Sequence, residues 1–165
     1  MQEEGKTAGV MFVADDLGAV MPGKRVRLPP RPVSLAGRDD LLADLDIRLT
    51  RGNGAGPQIV ALHGPAGRGK ASVAVEYAHR HLGEVEVAWR FPAEDITVLA
   101  AGFTDLAGQL GINGAAGGRD PVASVQSALA ECTGGWLLIF DNAPRPEQVR
   151  EVLPPAGNEI GRAHV

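Results

Sequence analysis

The sequence predicts an α/β fold, with a parallel sheet covered by helices on both faces. Three observations carry that prediction. Short apolar runs alternate with segments of helical period, in the order helix, β-loop-α, β-α-α, β-α. Two of the runs, Gln58–His63 (QIVALH) and Trp136–Phe140 (WLLIF), are nearly continuous in apolar residues, as strands buried on both faces are. A glycine-rich loop stands directly between the first run and the helix after it.

The elements follow in order. Residues 1–33 lack sustained periodicity and are expected to be a linker or a poorly ordered N-terminal arm. Within them Val10-Met11-Phe12-Val13 is a short apolar patch that fits a strand or a helical turn, and Arg25–Pro32 (RVRLPPRP) reads as an extended Pro-rich linker. Gly37-Arg38-Asp39-Asp40 opens an amphipathic helix whose two carboxylates stand in the first turn, where the helix dipole favours them. Leu41, Leu42, Leu45, Ile47 and Leu49 supply its apolar face, and Arg51-Gly52-Asn53-Gly54 ends it. After the strand Gln58–His63 and its loop, a helix runs from Lys70 to Leu82. It packs on Val73, Ala74, Tyr77, Ala78 and Leu82, with Glu76 and Arg80 paired on the other side.

Glu84–Phe91 (EVEVAWRF) alternates and reads as a second strand. Residues 94–110 suit a helix on Ile96, Leu99, Phe103, Leu106 and Leu110, and Gly111–Gly118 is a flexible loop. Asp120 caps a further helix with Pro121 at its first position, and Thr133-Gly134-Gly135 breaks it after Cys132. Trp136–Phe140 is the third strand and ends in Asp141-Asn142; Pro146–Leu153 is a short helix. Residues 159–165 (EIGRAHV) back-translate into a common short-read sequencing adapter. They are expected to be a non-native tail, with the natural reading frame continuing past Asn158.

Composition bounds the function classes. The chain has 165 residues, 44% hydrophobic and 22% charged, which suits one globular domain. A net charge of −4 gives no basic footprint for nucleic acid. No run approaches a membrane span and no signal peptide is evident. The single cysteine, Cys132, excludes an internal disulfide, and a reduced cytoplasmic setting is the default.

Gly64-Pro65-Ala66-Gly67-Arg68-Gly69-Lys70-Ala71 departs by one residue from the phosphate-binding pattern G-x-x-x-x-G-K-[ST]. Gly64, Gly67 and Gly69 admit backbone conformations that turn consecutive N–H groups toward an anion. The helix starting at Lys70 adds its unpaired N–H groups and the positive end of its dipole. Lys70 places an ammonium on the β- and γ-phosphates, and Arg68 and Ser72 complete the candidate binding residues of this loop. Ala71 is discordant, because a Ser or Thr hydroxyl there would hold Mg²⁺. A water can take that place, so binding of Mg²⁺·ATP is expected to weaken while a metal-free diphosphate loses little. Ser72 stands about 100° further around the helix and cannot substitute without a loop shift.

Leu137-Leu138-Ile139-Phe140-Asp141 resembles a Walker B strand, with Asp141 as candidate metal ligand and candidate catalytic carboxylate. Asn142 follows it, and an amide is a poor general base, which argues for slow or absent hydrolysis. His63 at the strand end has two readings, lining the site or, in preference, packing as a strand-end histidine. His79 and His81 point to different helix faces. Cys132, Trp89 and Trp136 are read as core residues.

Taken together and in order, these pieces resemble the NB-ARC subgroup of STAND-type P-loop NTPases over roughly residues 30–157. The resemblance rests on Leu28-Pro29-Pro30-Arg31-Pro32 before Leu35-Ala36-Gly37-Arg38-Asp39, and on Ala61-Leu62-His63-Gly64 leading into the loop. It continues through Ala74-Val75-Glu76-Tyr77-Ala78-His79-Arg80, Val87-Ala88-Trp89, Leu137 to Ala143 and Leu153-Pro154-Pro155. It implies a three-layer P-loop NTPase fold, incomplete at the C-terminus, with residues 34–158 as a partial nucleotide-binding domain.

It further implies an ADP- or ATP-dependent switch with slow hydrolysis. Gly37 and Arg38 would lie near the nucleotide, Lys70 on its phosphates and Asp141 on Mg²⁺. Helical, winged-helix and repeat domains would be missing partners, and the full-length protein would be a possible homo-oligomer. Other readings are an active Mg²⁺-dependent ATPase or transferase, a degenerate scaffold that binds no nucleotide, and a fragment whose open strand edges prevent stable folding.

Overall fold

The computed structural model of the chain describes residues 9–15, 23–50, 58–65, 69–112, 118, 120–132 and 134–153. The elements are β1 (Gly9–Asp15), β2 (Arg25–Arg27), α1 (Asp39–Thr50), β3 (Gln58–Leu62), α2 (Lys70–Arg80), β4 (Val87–Pro92), α3 (Ile96–Gln109), α4 (Pro121–Glu131), β5 (Trp136–Ala143) and α5 (Pro146–Val152). The helix end expected at Arg51–Gly54, most of the loop after Gly111, Pro154-Pro155 and the tail 159–165 lie outside the described residues. Among the described residues no helix is long and apolar enough to cross a membrane.

The fold is α/β, but the sheet is mixed rather than wholly parallel. Its order is β2-β4-β5-β1-β3. β2, β4 and β5 run parallel to one another. β1 is antiparallel to both of its neighbours, β5 and β3, so those two run parallel to each other on either side of it. This corrects the linker reading of residues 1–33 at two places. Gly9–Asp15 is an interior strand, and Arg25–Arg27 is the edge strand beside β4. A seven-residue, mostly apolar stretch cannot announce its partners when they lie 44 to 134 residues further along the chain. Opposite the register shift at Gly9 and Val10, Asn142 adopts φ +58°, a left-handed conformation that asparagine tolerates better than most residues.

Two cores fill the layers on either side of the sheet. Val87, Trp89 and Phe91 of β4 and Trp136, Leu138 and Phe140 of β5 face α3, α4 and α5. Ala88, Leu137 and Ile139 face the opposite way, against α1, α2 and β3. β4 therefore alternates in direction, as expected, but both of its faces are buried. The alternation of charge seen in Glu84–Glu86 does not continue through it. On α3, Leu99, Phe103 and Leu106 are buried as predicted, whereas Ile96 at the first turn is 58% exposed. Asp95 caps α3 by accepting from Thr97 N and Val98 N, and Asp120 caps α4 by accepting from Val122 N.

Glu76 is the largest departure on α2. The i,i+4 pair with Arg80 forms, at 2.8 Å, but the carboxylate is buried and not on a solvated face. Arg31 covers it, donating from Nε to Oε2 at 2.8 Å and from Nη2 to Oε1 at 2.7 Å. A ring nitrogen of His79 lies 2.9 Å from Pro29 O, and Leu28 and Leu35 pack against the α1/α2 core. The Pro-rich segment is thus strapped along α2.

The hydrogen bonds from Arg31, then those from Arg80, hold the Glu76 carboxyl at about 2, below its ordinary 4.5, against the opposing effect of burial. A carboxylate depressed in this way stabilises the fold fully above its unfolded pKa and ceases to as it protonates. Stability should therefore fall between about pH 4.5 and pH 2. The loss should be about 1–2 kcal/mol, since both guanidinium partners are half-exposed and screened. Thermal melting against pH checks this, and the acid loss should shrink in Glu76→Gln. An equal acid loss in that variant would remove Glu76 as its cause.

Candidate functional site

β3 ends at Leu62, and α2 begins at Lys70 with Gly69 as its N-cap at φ +76°. That left-handed backbone suits glycine, and glycine brings no side-chain oxygen to the first N–H groups of the helix. α3 and α4 by contrast spend an aspartate on theirs. Among the described residues no side chain caps the first N–H groups of α2, whose helix dipole is positive at that end.

Lys70 folds back over the loop mouth. Its Nζ donates to Gly64 O at 2.8 Å and to Pro65 O at 2.7 Å. An ammonium has three donors, so these two bonds aim the group while leaving capacity for an acceptor in the loop. Ala66, Gly67 and Arg68 lie outside the described residues.

Beside the loop is a cavity of about 250 Å³, with Arg38, His63 and Lys70 on its polar side and Leu41, Leu62 and Val73 on its apolar side. The site residues predicted from sequence divide here. Arg38, Gly64 and Lys70 come together around this cavity. Gly37, at φ +70°, is the turn that delivers Arg38 to the start of α1. Ala71 and Ser72 are half-buried in the first turn of α2, and Ala71 packs against the α1/α2 core. Of the two sequence readings of His63 the structure follows the less favoured one: it is exposed and lines the cavity instead of packing.

Asp141 stands at the same level of the sheet as the loop entry. Val10 of β1 pairs with Leu62 on one side and with Asp141 on the other, which sets those two backbones two strand spacings, about 10 Å, apart. The Asp141 carboxylate is buried and already engaged. Arg90 donates to its Oδ2 from Nε at 3.1 Å and also from Nη2. Arg90 is the residue that sequence reasoning missed. Its signal was an arginine within the otherwise apolar run Val87–Phe91.

The weaker candidates take structural places. His81 contacts Glu84 and Asp46, and His79 contacts Pro29. Among the described residues no cluster of three or more His, Cys, Asp or Glu side chains could hold a metal. Burial pushes the Cys132 thiol up from its ordinary pKa, the opposite of an activated nucleophile. Trp89 and Trp136 are core, and Arg27 lies over the Trp89 ring at 5.4 Å. Comparison with protein-family models, curated proteins and solved structures returns no match.

Proposed function

We propose that the chain is a nucleotide-binding module of the NB-ARC, STAND-type P-loop kind, in which the loop 64–71 holds the phosphates of ADP or ATP. The observation that carries this reading is the convergence on one cavity of Lys70 and Arg38, beside a helix start whose N-cap is Gly69, at the carboxyl end of β3. Ligands of open α/β sheets lie outside such strand ends. Lys70 and the N–H groups of the loop would neutralise the diphosphate, Arg38 would approach it from the α1 side, and Leu41, Leu62 and Val73 would exclude water.

The residues present fit a nucleotide better than they fit a dedicated Mg²⁺ site. Ala71 offers no side-chain oxygen and the Asp141 carboxylate is already paired with Arg90. When bound, Mg²⁺ supplies charge neutralisation on the phosphate oxygens. Here its other ligands would be mainly water and the phosphates themselves. This favours a binding switch with slow or absent hydrolysis over an active ATPase. On the same reading the module is cytoplasmic and works with helical, winged-helix and repeat partners in a larger, oligomerising protein.

Calorimetric titration of ADP and ATP into the whole chain, with and without Mg²⁺, tests the proposal. ADP should bind in both conditions; a folded chain that binds neither nucleotide overturns it. Ala71→Thr should raise the affinity for ATP on the order of tenfold in Mg²⁺ and leave metal-free ADP binding unchanged. A gain in the absence of Mg²⁺ would mean that the hydroxyl acts other than as a metal ligand.

A further inference from the structure

Arg38 reaches the cavity from a stretch of chain that is tied down on both sides of it, and both ties end on one carboxylate. Upstream, Arg31 makes its two-pronged contact with Glu76 at 2.8 and 2.7 Å. Downstream, Asp39 Oδ1 lies 3.6 Å from Arg80 Nη2, and Arg80 Nε donates to Glu76 Oε1 at 2.8 Å. Between the ties, Leu35 packs against the α1/α2 core and Gly37 turns the chain at φ +70° into the helix that starts beside Arg38. Glu76 sits on α2, six residues after Lys70, and is nearly inaccessible at 5% exposure. The buried carboxylate joins two guanidiniums that are themselves half-exposed, so removing it unties both arginines while water still solvates them.

We propose that Glu76 is a positioning residue of the nucleotide site: through Arg31 and Arg80 it holds both flanks of Arg38 against the helix that carries Lys70, and so fixes where the Arg38 guanidinium meets the ligand. The inference rests on the phosphate-binding reading above. It adds that the Pro-rich strap, which supplies none of the described residues lining the loop cavity, sets affinity through a residue that does line it. Lys70 and Arg38 then belong to one rigid unit built on α2 rather than to two separate segments.

A double-mutant cycle on the whole chain tests this, with ADP as the probe and calorimetry as the readout. Arg31→Ala is the principal variant because Arg31 is half-exposed and its loss should leave the fold intact; Glu76→Gln is the second. Each should weaken ADP binding by about five- to tenfold in the native background and have no further effect in an Arg38→Ala background. Equal losses in both backgrounds, or no loss at all, overturn the proposal.

Hydrogen exchange on the ligand-free chain gives a readout that does not depend on nucleotide. Glu76→Gln should deprotect residues 28–42 and leave 121–143 unchanged. Unchanged protection in 28–42 overturns the clamp, whatever ADP does. If the native chain shows the clamp by exchange but binds no ADP, the phosphate-binding reading fails and the positioning role fails with it, while the strap remains as a structural tie.

Discussion

Replacing Lys70 by alanine should abolish most ADP binding while leaving the melting temperature nearly unchanged. Among the described residues Lys70 is the only lysine lining the loop cavity, and a hydrogen bond to a charged group contributes about 1.5–3 kcal/mol. That range corresponds to roughly a 10- to 150-fold loss in affinity. The fold should tolerate the change. The acceptors Lys70 leaves behind, Gly64 O and Pro65 O, lie in a loop where Gly64 is half-buried and Pro65 exposed, so water can replace the ammonium. Calorimetry and thermal melting on the same samples separate the two effects. A variant that binds ADP as tightly as the native chain would show that the phosphates do not sit on this loop.

The largest expected loss of stability follows from Phe103→Ala. Phe103 is 1% exposed, and its ring stacks on Phe91 at 4.5 Å between centroids and lies 6.4 Å from Phe140. This aromatic trio joins α3 to β4 and β5, with Phe91 and Phe140 themselves 5.0 Å apart. Alanine is the best helix former, so α3 gains slightly in propensity and the whole cost is packing. A buried Phe→Ala change costs about 3–5 kcal/mol, and the upper part of that range is expected here. Collapse into the void is opposed from the other side, because the space around Phe91 is already tight: a Cβ added at Gly102 would stand 2.8 Å from Phe91 Cδ1. Denaturant unfolding should show the midpoint falling with little change in slope. A loss under 1 kcal/mol would mean that the trio is not a core contact.

What could be read from the sequence was what neighbours in sequence decide. α2 and α4 begin where the loop glycine and the Asp120-Pro121 pair say they should. β5 is apolar because helices cover both of its faces, and the run Trp136–Phe140 states that directly. The loop at Gly64–Ala71 is visible as a chemical pattern, and Arg38 lines the same cavity as Lys70.

What escaped depends on contacts between distant residues. Glu76 looks like the solvated half of an i,i+4 pair until Arg31, 45 positions earlier, is laid over it. Asp141 looks free to reach a metal until Arg90, 51 positions earlier, is seen to take its oxygen. β1 was ambiguous for the same reason, since its pattern shows that it is apolar but not that it lies between two parallel strands.

The place of β1 has a consequence for biosynthesis. Among the described strands β1 is made first, yet it pairs with β5, which is made last of them: Val10 opposes Asp141. β3, which carries the loop, has β1 as its one neighbour among the described strands. The loop-bearing strand therefore cannot join the rest of the sheet until Trp136–Ala143 has been synthesised. Pairings this distant in sequence form slowly, and during the wait the nascent chain carries open strand edges that invite association with other chains. Translation speed through the stretch between β3 and β5 thus bears directly on how much of this sheet forms.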